Sequence, residues 1–443
     1  MKIADLWQKL KEIFKIRGRL ILFYASLFFI IFLVGIGSGY LIFNKNGNVE
    51  PQITDPYIAF ISEIYDTVKT NYWEKVTDEN LSNVFELGAE KITVKPQVLE
   101  SKNKLGVEKM VTGIIKEMPE EKKKEFIVAL GNIVLVNLQP FGRSQLYSIK
   151  DETGLKNNLQ NIDTGTDLYS VLGVDKNASS EKISSAYNEK IAELATEENQ
   201  PDYSEKLSQL ERAKDALINE TAKNAYDATK AEPTVVGELI SPSVLHLKIK
   251  RISPTVLSEL KQVTDNFDKG EALDSLIIDL RSNIGGSMDI LPYLLGPFIG
   301  PNQYALELLH QGEYTPIKTL SGWLPGLVRY KKVVVLIDGQ DQSSAEVVAS
   351  ALKRYNVGVV VGSKTKGWGT VERVFDLETQ IDKNEKYSVY LVHSLTIGDD
   401  GQPIEGNGVA PVIDISNNNW ENQLTPYFND PELVKAVRNI ISK

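Results

Sequence analysis

The chain has 443 residues, 42% hydrophobic and 24% charged, a formal net charge of −10 and no cysteine. That length can bury more than one core, so two or three domains are expected. The acidic balance repels phosphate backbones, which argues against a nucleic-acid partner, and the missing thiols exclude disulfides, thiolate chemistry and cysteine-based zinc sites.

Residues 1–19 form a basic tail, with Lys2, Lys9, Lys11, Lys15, Arg17 and Arg19 against Asp5 and Glu12. Residues 20–43 carry no charge and exceed the ~20 apolar residues a helix needs to cross a bilayer, so a transmembrane helix is expected there. The run is longer than the ~7–15-residue apolar region of a signal peptide and lacks a small-x-small cleavage site, which favours an anchor over a cleaved leader. By the positive-inside rule the N-terminus is cytoplasmic and everything from about Asn44 lies outside a bacterial-type cell membrane, as a single-pass protein. The "GIGSG" inside the run reads as helix packing, not phosphate binding.

A polar linker at 44–56 leads into a helical N-terminal region, 57–160. Its apolar residues recur at helical spacing, and Thr77 with the acidic residues after it marks a helix start. A composition shift at "NNLQNIDTGT" opens a segment at 161–231: a short helix, a turn at Gly173, a long helix after "NASS", and a third helix with Leu207, Leu210, Ala213 and Leu217 on one face. Asp167, Tyr169, Leu172, Gly173, Val174, Ala178, Ile183, Ala186, Tyr187 and the closing "AYD" at 225–227 resemble the J domain of DnaJ-type cochaperones. In that family a His-Pro-Asp tripeptide engages a chaperone ATPase. Gln200, Pro201 and Asp202 stand at that place here, so a chaperone ATPase is not expected as a partner.

The segment 232–425 carries the chemistry, and a C-terminal helix is expected at 426–443. "VLHLKIKRI" alternates like a half-buried strand, and a helix with Val256, Leu260, Val263 and Phe267 on one face follows. "DSLIIDLRSNIGG" reads as a strand and a glycine turn; "KKVVVLIDGQDQSSAEVVASALKRY" reads as a strand, a tight turn holding Ser343 and Ser344, and a helix. "VGVVV" and the turn "GSKTKGWGTVER" complete a β-α-β unit, so this part of the sheet is expected to be parallel. A serine at such a strand-to-helix turn projects beyond the sheet, and backbone N–H groups beside it point where an oxyanion would form.

"LIIDLRSNIGG", "VVVLIDGQDQSSAEVVASALK", "VGSKTKGWGTVERV" and "DGQPIEGNGVAPVIDI", in that order over about 235–415, resemble the C-terminal processing (tail-specific) serine proteases. The resemblance implies a ClpP/crotonase-like α/β core beside an all-α N-terminal region, the three-helix J-like domain and the transmembrane helix. It also implies protein or peptide substrates, a serine nucleophile at Ser343, and an oxyanion hole from Gly285, Gly286 and Ser344. The family's lysine base falls on Trp368, and the glutamine that orients it falls on Glu372. No PDZ pattern is present; the J-like segment occupies that place.

An indole N–H donates but cannot accept the serine proton, so Trp368 cannot be the base. Asp341, beside the serine, is expected to bring a negative charge near the oxyanion. Lys366 is the candidate substitute base, effective only if desolvated; Glu372 and His393 are further proton acceptors to weigh. Two readings stay open: an active peptidase using Ser343 and Lys366, and a peptide- or protein-binding core with impaired or lost catalysis. No metal-ligand cluster or nucleotide fingerprint is present, so no cofactor is expected, and self-association is left open.

Overall fold

The computed structural model describes residues 55–197, 200, 202–267 and 273–442. The basic tail and the segment 20–43 lie outside the described residues, as does Pro201. Four helices open the described chain, α1 (Pro56–Asn71), α2 (Asp78–Thr93), α3 (Lys104–Lys116) and α4 (Glu120–Val136), followed by β1 (Gln145–Ser148) and α5 (Ile149–Leu159). In α1 the buried positions Phe60, Ile61, Ile64, Tyr65 and Val68 recur at helical spacing and form one stripe. Thr77 caps α2, its Oγ1 accepting the Asn80 N–H at 3.1 Å.

The J-like segment holds α6 (Leu168–Leu172), α7 (Ser180–Leu194), α8 (Tyr203–Leu217) and α9 (Glu220–Thr229). Gly173 ends α6 at φ +69, a conformation that favours glycine. The third helix expected from the sequence is two: Asn219 Oδ1 accepts the Thr221 N–H at 2.8 Å and starts α9 as a new helix. Leu168, Leu172, Ile183, Leu210, Ala213, Leu217 and Tyr226 form the segment's own core. Arg212 fastens its two ends, meeting Glu232 at 2.6 Å and Asp163 at 2.5 Å. Lys250 pairs with Asp215 of α8 at 3.1 Å.

The remaining chain runs β2 (Val235–Ser241), β3 (Val244–Ile249), α10 (Val256–Phe267), β4 (Ser275–Asp279), α11 (Leu291–Ile299), β5 (Tyr304–His310), β6 (Glu313–Lys318), α12 (Pro325–Val328), β7 (Lys332–Ile337), α13 (Ser344–Arg354), β8 (Val359–Gly362), β9 (Thr370–Asp376), β10 (Tyr387–Thr396), β11 (Ile413–Asp414), α14 (Trp420–Phe428) and α15 (Pro431–Ile441). Six strands form one sheet in the order β11-β8-β7-β4-β3-β2. β3, β4, β7, β8 and β11 are parallel, as the β-α-β reading expects, and β2 closes the edge antiparallel. Every residue of β4 is buried, which suits a parallel strand covered on both faces.

A second, antiparallel sheet, β1-β10-β5-β6 with β9 also on β10, was not expected from the sequence. Gln311 at φ +50 and Gly312 at φ +86 turn the β5–β6 hairpin, a pair of positive-φ residues that matches the strands' twist. Mostly exposed side chains and Pro316 in β6 hide this strand from a periodicity reading. Val389 and Leu391 of β10 enter the core of the helical region.

The expected transmembrane helix requires correction. Among the described residues no helix is long and apolar enough to cross a membrane. The longest, α4, has 17 residues, about 26 Å at ~1.5 Å per residue against a hydrocarbon core of ~30 Å. It also begins with Glu120, Glu121, Lys122, Lys123 and Lys124. The fold is therefore mixed α/β with no membrane-spanning helix among the described residues, and the expected single-pass localisation, which rested on residues 20–43 alone, is withdrawn.

Candidate active site

β4, β7 and β8 are parallel neighbours, so the turns after their C-terminal ends lie side by side. These are the turns that hold Gly285 and Gly286, Ser343 and Ser344, and Lys366 and Trp368. The first two touch: a Cβ on Gly285 would lie 2.8 Å from Ser343 Cβ and 3.0 Å from Ser344 N, so only glycine fits there.

Ser343 precedes α13 at φ +60 and ψ −130, a conformation that costs a non-glycine residue about 1–3 kcal/mol and persists only where neighbours impose it. The neighbours are visible. Its N–H donates to Trp368 O at 3.0 Å and to Glu346 Oε2 at 3.0 Å. Glu346, fully buried on the first turn of α13, also accepts Trp368 N–H at 2.7 Å, Gly367 N–H at 2.7 Å and Thr365 Oγ1 at 2.5 Å. One carboxylate thus ties the serine turn to the tryptophan turn. Burial pushes the Glu346 carboxyl up, and its four donors oppose that rise.

Trp368 is enclosed from two sides. The Arg143 guanidinium carbon lies 3.3 Å from the ring centroid. The same guanidinium pairs with Glu405 at 3.1 Å and reaches Thr370 Oγ1 at 3.4 Å. The carboxyl of Glu372, four residues on, accepts Thr370 Oγ1 at 2.5 Å. Burial raises the Glu372 carboxyl, while Thr370, Arg143 and Trp368 hold it down. Behind it, Tyr390 stacks on Tyr147 with centroids 4.4 Å apart.

The other residues singled out in the sequence separate. Lys366 is exposed, its Nζ donating to Gln342 Oε1 at 2.7 Å and lying 5.1 Å from the Trp368 centroid. The desolvation that would make it a base is missing. The Gly285 N–H is taken by Asn283 Oδ1 at 2.9 Å. That leaves the Gly286 N–H and the Ser344 N–H, the latter at the first turn of α13, where helix geometry supplies no acceptor. Ser344 Oγ is buried without a hydrogen-bond partner. His393 stacks on His310 with centroids 4.2 Å apart, and burial with the nearby Arg373 and His310 lowers it to about 4. Gln200 and Asp202 lie in the J-like segment, between α7 and α8.

Asp341 differs from expectation. Its carboxylate turns inward, accepting Asn283 N–H at 3.2 Å and Asp338 N–H at 3.0 Å. Burial, then the charge of Asp338, pushes it up to about 9. That rise favours the neutral form at neutral pH, and the two backbone donors make the side chain a brace between two turns.

Glu346 and Arg143 escaped the sequence reading. Glu346 had a signal, the Ser-x-x-Glu pattern of a capping box at 343–346. Arg143 had none, because its partner Thr370 is 227 residues away along the chain.

A family model for "Peptidase family S41" matches residues 243–415, and a "DnaJ domain" model matches residues 167–227. A "Probable CtpA-like serine protease" of Staphylococcus epidermidis is 26% identical over 170 residues, 38% of this chain and 33% of that protein. A "Carboxy-terminal-processing protease" of Bartonella bacilliformis is 24% identical over 171 residues, 38% of each chain. The match therefore spans little more than a third of these relatives. Among solved structures, a photosystem II D1 C-terminal processing protease aligns with a TM-score of 0.47 at 13% identity, covering 82% of this chain and 94% of its own. The chain carries a domain of peptidase family S41, the C-terminal processing proteases, over residues 243–415, together with a DnaJ domain over residues 167–227.

Proposed function

We propose that the S41 domain of this chain binds peptides or protein segments, with its peptidase chemistry impaired or lost. The observation that carries this reading is the state of position 368. The lone pair of the indole nitrogen belongs to the aromatic ring and takes no proton, and the face of the ring is covered by Arg143. A serine hydroxyl without a base is a poor nucleophile, and loss of a dyad member removes several orders of magnitude in rate.

A second reading, an active peptidase with Ser343 as nucleophile and Lys366 as base, is favoured by one observation, the retained strained geometry of Ser343. Fluorophosphonate labelling separates the two. Absence of Ser343-dependent labelling supports the binding reading. Labelling lost in both Ser343→Ala and Lys366→Ala overturns it.

The DnaJ domain serves, in this reading, as a spacer or interaction module. Gln200 stands where the tripeptide needs histidine, and the Arg212 and Lys250 ion pairs fasten the segment to its surroundings. Measurable stimulation of a chaperone ATPase by the full chain would overturn this.

A further inference from the structure

Helices α10 and α11 of the S41 domain flank an open groove of about 610 Å3. Pro254 and Leu257 line it from the α10 side, Ile290, Tyr293 and Pro297 from the α11 side, and Trp323 also lines it. The groove is a built feature. Pro297 lies inside α11 and has no N–H, so the carbonyl four residues earlier, Tyr293 O, loses its helical donor. Ser321 Oγ donates to that carbonyl in its place. Leu320 N–H donates to Pro292 O at 2.8 Å, and Leu324 N–H to Pro297 O at 3.1 Å.

Gly296 permits the approach, since a Cβ there would meet Ser321 O at 2.2 Å. The loop is thereby fixed to the helix, and Trp323 lies across Gly300, where a Cβ would come 2.6 Å from the indole. Despite this rigid seat Trp323 is 56% exposed, next to Tyr293 at 43%. Two aromatic side chains held half in water along an apolar groove form the kind of patch that marks an interaction site. Lys261, one helical turn beyond Leu257, lines the same groove, in which no acidic residue takes part. Among the described residues its ammonium has no carboxylate partner.

We propose that this groove is an exosite for a peptide ligand. It seats an aromatic or branched side chain against Trp323 and Tyr293, and a neighbouring Asp or Glu carboxylate on Lys261. The charge fits: the Lys261 ammonium, without a carboxylate partner among the described residues, stands beside apolar walls and selects locally for a carboxylate. The inference rests on the peptide-binding reading of the S41 domain and adds where the ligand docks and what it carries. Ile290 follows Gly286 by four residues, so about 15 Å of chain at most separates the groove from the Ser343 turn. Five or six extended residues, at ~3.3 Å each, reach from one to the other.

The test pans a displayed random dodecapeptide library on the full chain, with no counter-selection against any variant. The enriched peptide, fluorescein-labelled, is then titrated by anisotropy. Enriched sequences are expected to place Phe, Trp, Leu or Ile beside Asp or Glu. Trp323→Ala is expected to weaken binding by about 30-fold or more, the scale of an aromatic anchor. Lys261→Glu is expected to exchange the preference for acidic neighbours for basic ones, and Tyr427→Ala, an exposed aromatic outside the groove, to bind as the unmodified chain does. Peptides that bind Trp323→Ala undiminished overturn the groove and leave the peptide-binding reading standing. Absence of any enriched peptide overturns both. If sedimentation instead shows Trp323→Ala dissolving a dimer, the occupant is a second copy of the chain and the peptide proposal falls.

Discussion

Replacing Glu346 by alanine removes the carboxylate that joins the turns of the site. Four donors point at it, Thr365 Oγ1 at 2.5 Å, Gly367 N–H and Trp368 N–H at 2.7 Å, and Ser343 N–H at 3.0 Å. Two keep other engagements: Ser343 N–H still has Trp368 O at 3.0 Å, and Thr365 Oγ1 still accepts Val409 N–H at 2.7 Å. The N–H groups of Gly367 and Trp368 are orphaned, at ~1–3 kcal/mol each. The lost bonds to a charged acceptor add to this, and relief of the buried carboxylate's desolvation, visible in its raised pKa, subtracts. The net expectation is a loss of about 3 kcal/mol. Glu346→Gln keeps the volume but turns an amide NH2 toward N–H donors, and is expected to lose about 2 kcal/mol. Urea unfolding followed by circular dichroism measures both. With a slope of about 3 kcal/mol per M, the alanine variant moves the midpoint down by about 1 M at unchanged slope. A midpoint within about 0.2 M of the unmodified chain, or full recovery by glutamine, would refute the reasoning that the carboxylate holds these turns.

Arg143→Ala uncovers Trp368 and strands Glu405, and is expected to cost about 2 kcal/mol and shift indole emission to the red, with Arg143→Lys recovering only part because it cannot stack and fork together. Asp341 titrates at about 9 in the folded chain and near ~3.9 unfolded, so its contribution is full below about pH 4 and lost as pH rises toward 9. Melting temperature against pH for Asp341→Asn should lack that alkaline decline, and an unchanged slope would contradict the assignment. His393 shifts the other way, to about 4 from ~6.5 unfolded: its contribution is present above about pH 6.5 and lost as pH falls toward 4. His393→Gln should flatten the acid limb of the same profile.

Much of the site was legible because its parts are local. A buried strand, a turn and a helix recur around Gly285 and Ser343, a buried strand and a glycine turn lead to Trp368, and parallel pairing brings such turns together at one end of a sheet. Position 368 stood out through the family resemblance, which puts a lysine base where this chain has an indole that cannot accept a proton. What was not legible is non-local. The second sheet depends on β1, β5, β9 and β10 meeting from distant parts of the chain, and β6 is exposed and carries Pro316. Arg143 reaches Trp368 from outside the matched S41 segment. Asp341 was read from its residue type as a charge, whereas burial and the neighbouring charge of Asp338 push its carboxyl up against the opposing pull of its backbone donors.

The central claim, that the site lacks a proton acceptor for Ser343, is tested most directly by supplying one. In a chain carrying Trp368→Lys and Glu372→Gln, the new ammonium replaces the ring that Arg143 now covers at 3.3 Å, and repulsion from that guanidinium lowers its pKa toward the range of a working base. Fluorophosphonate labelling at Ser343 is expected to be absent in the unmodified chain and at least ~100-fold faster in the double variant, the scale of general-base catalysis. Equal Ser343-dependent labelling of both chains would contradict the account.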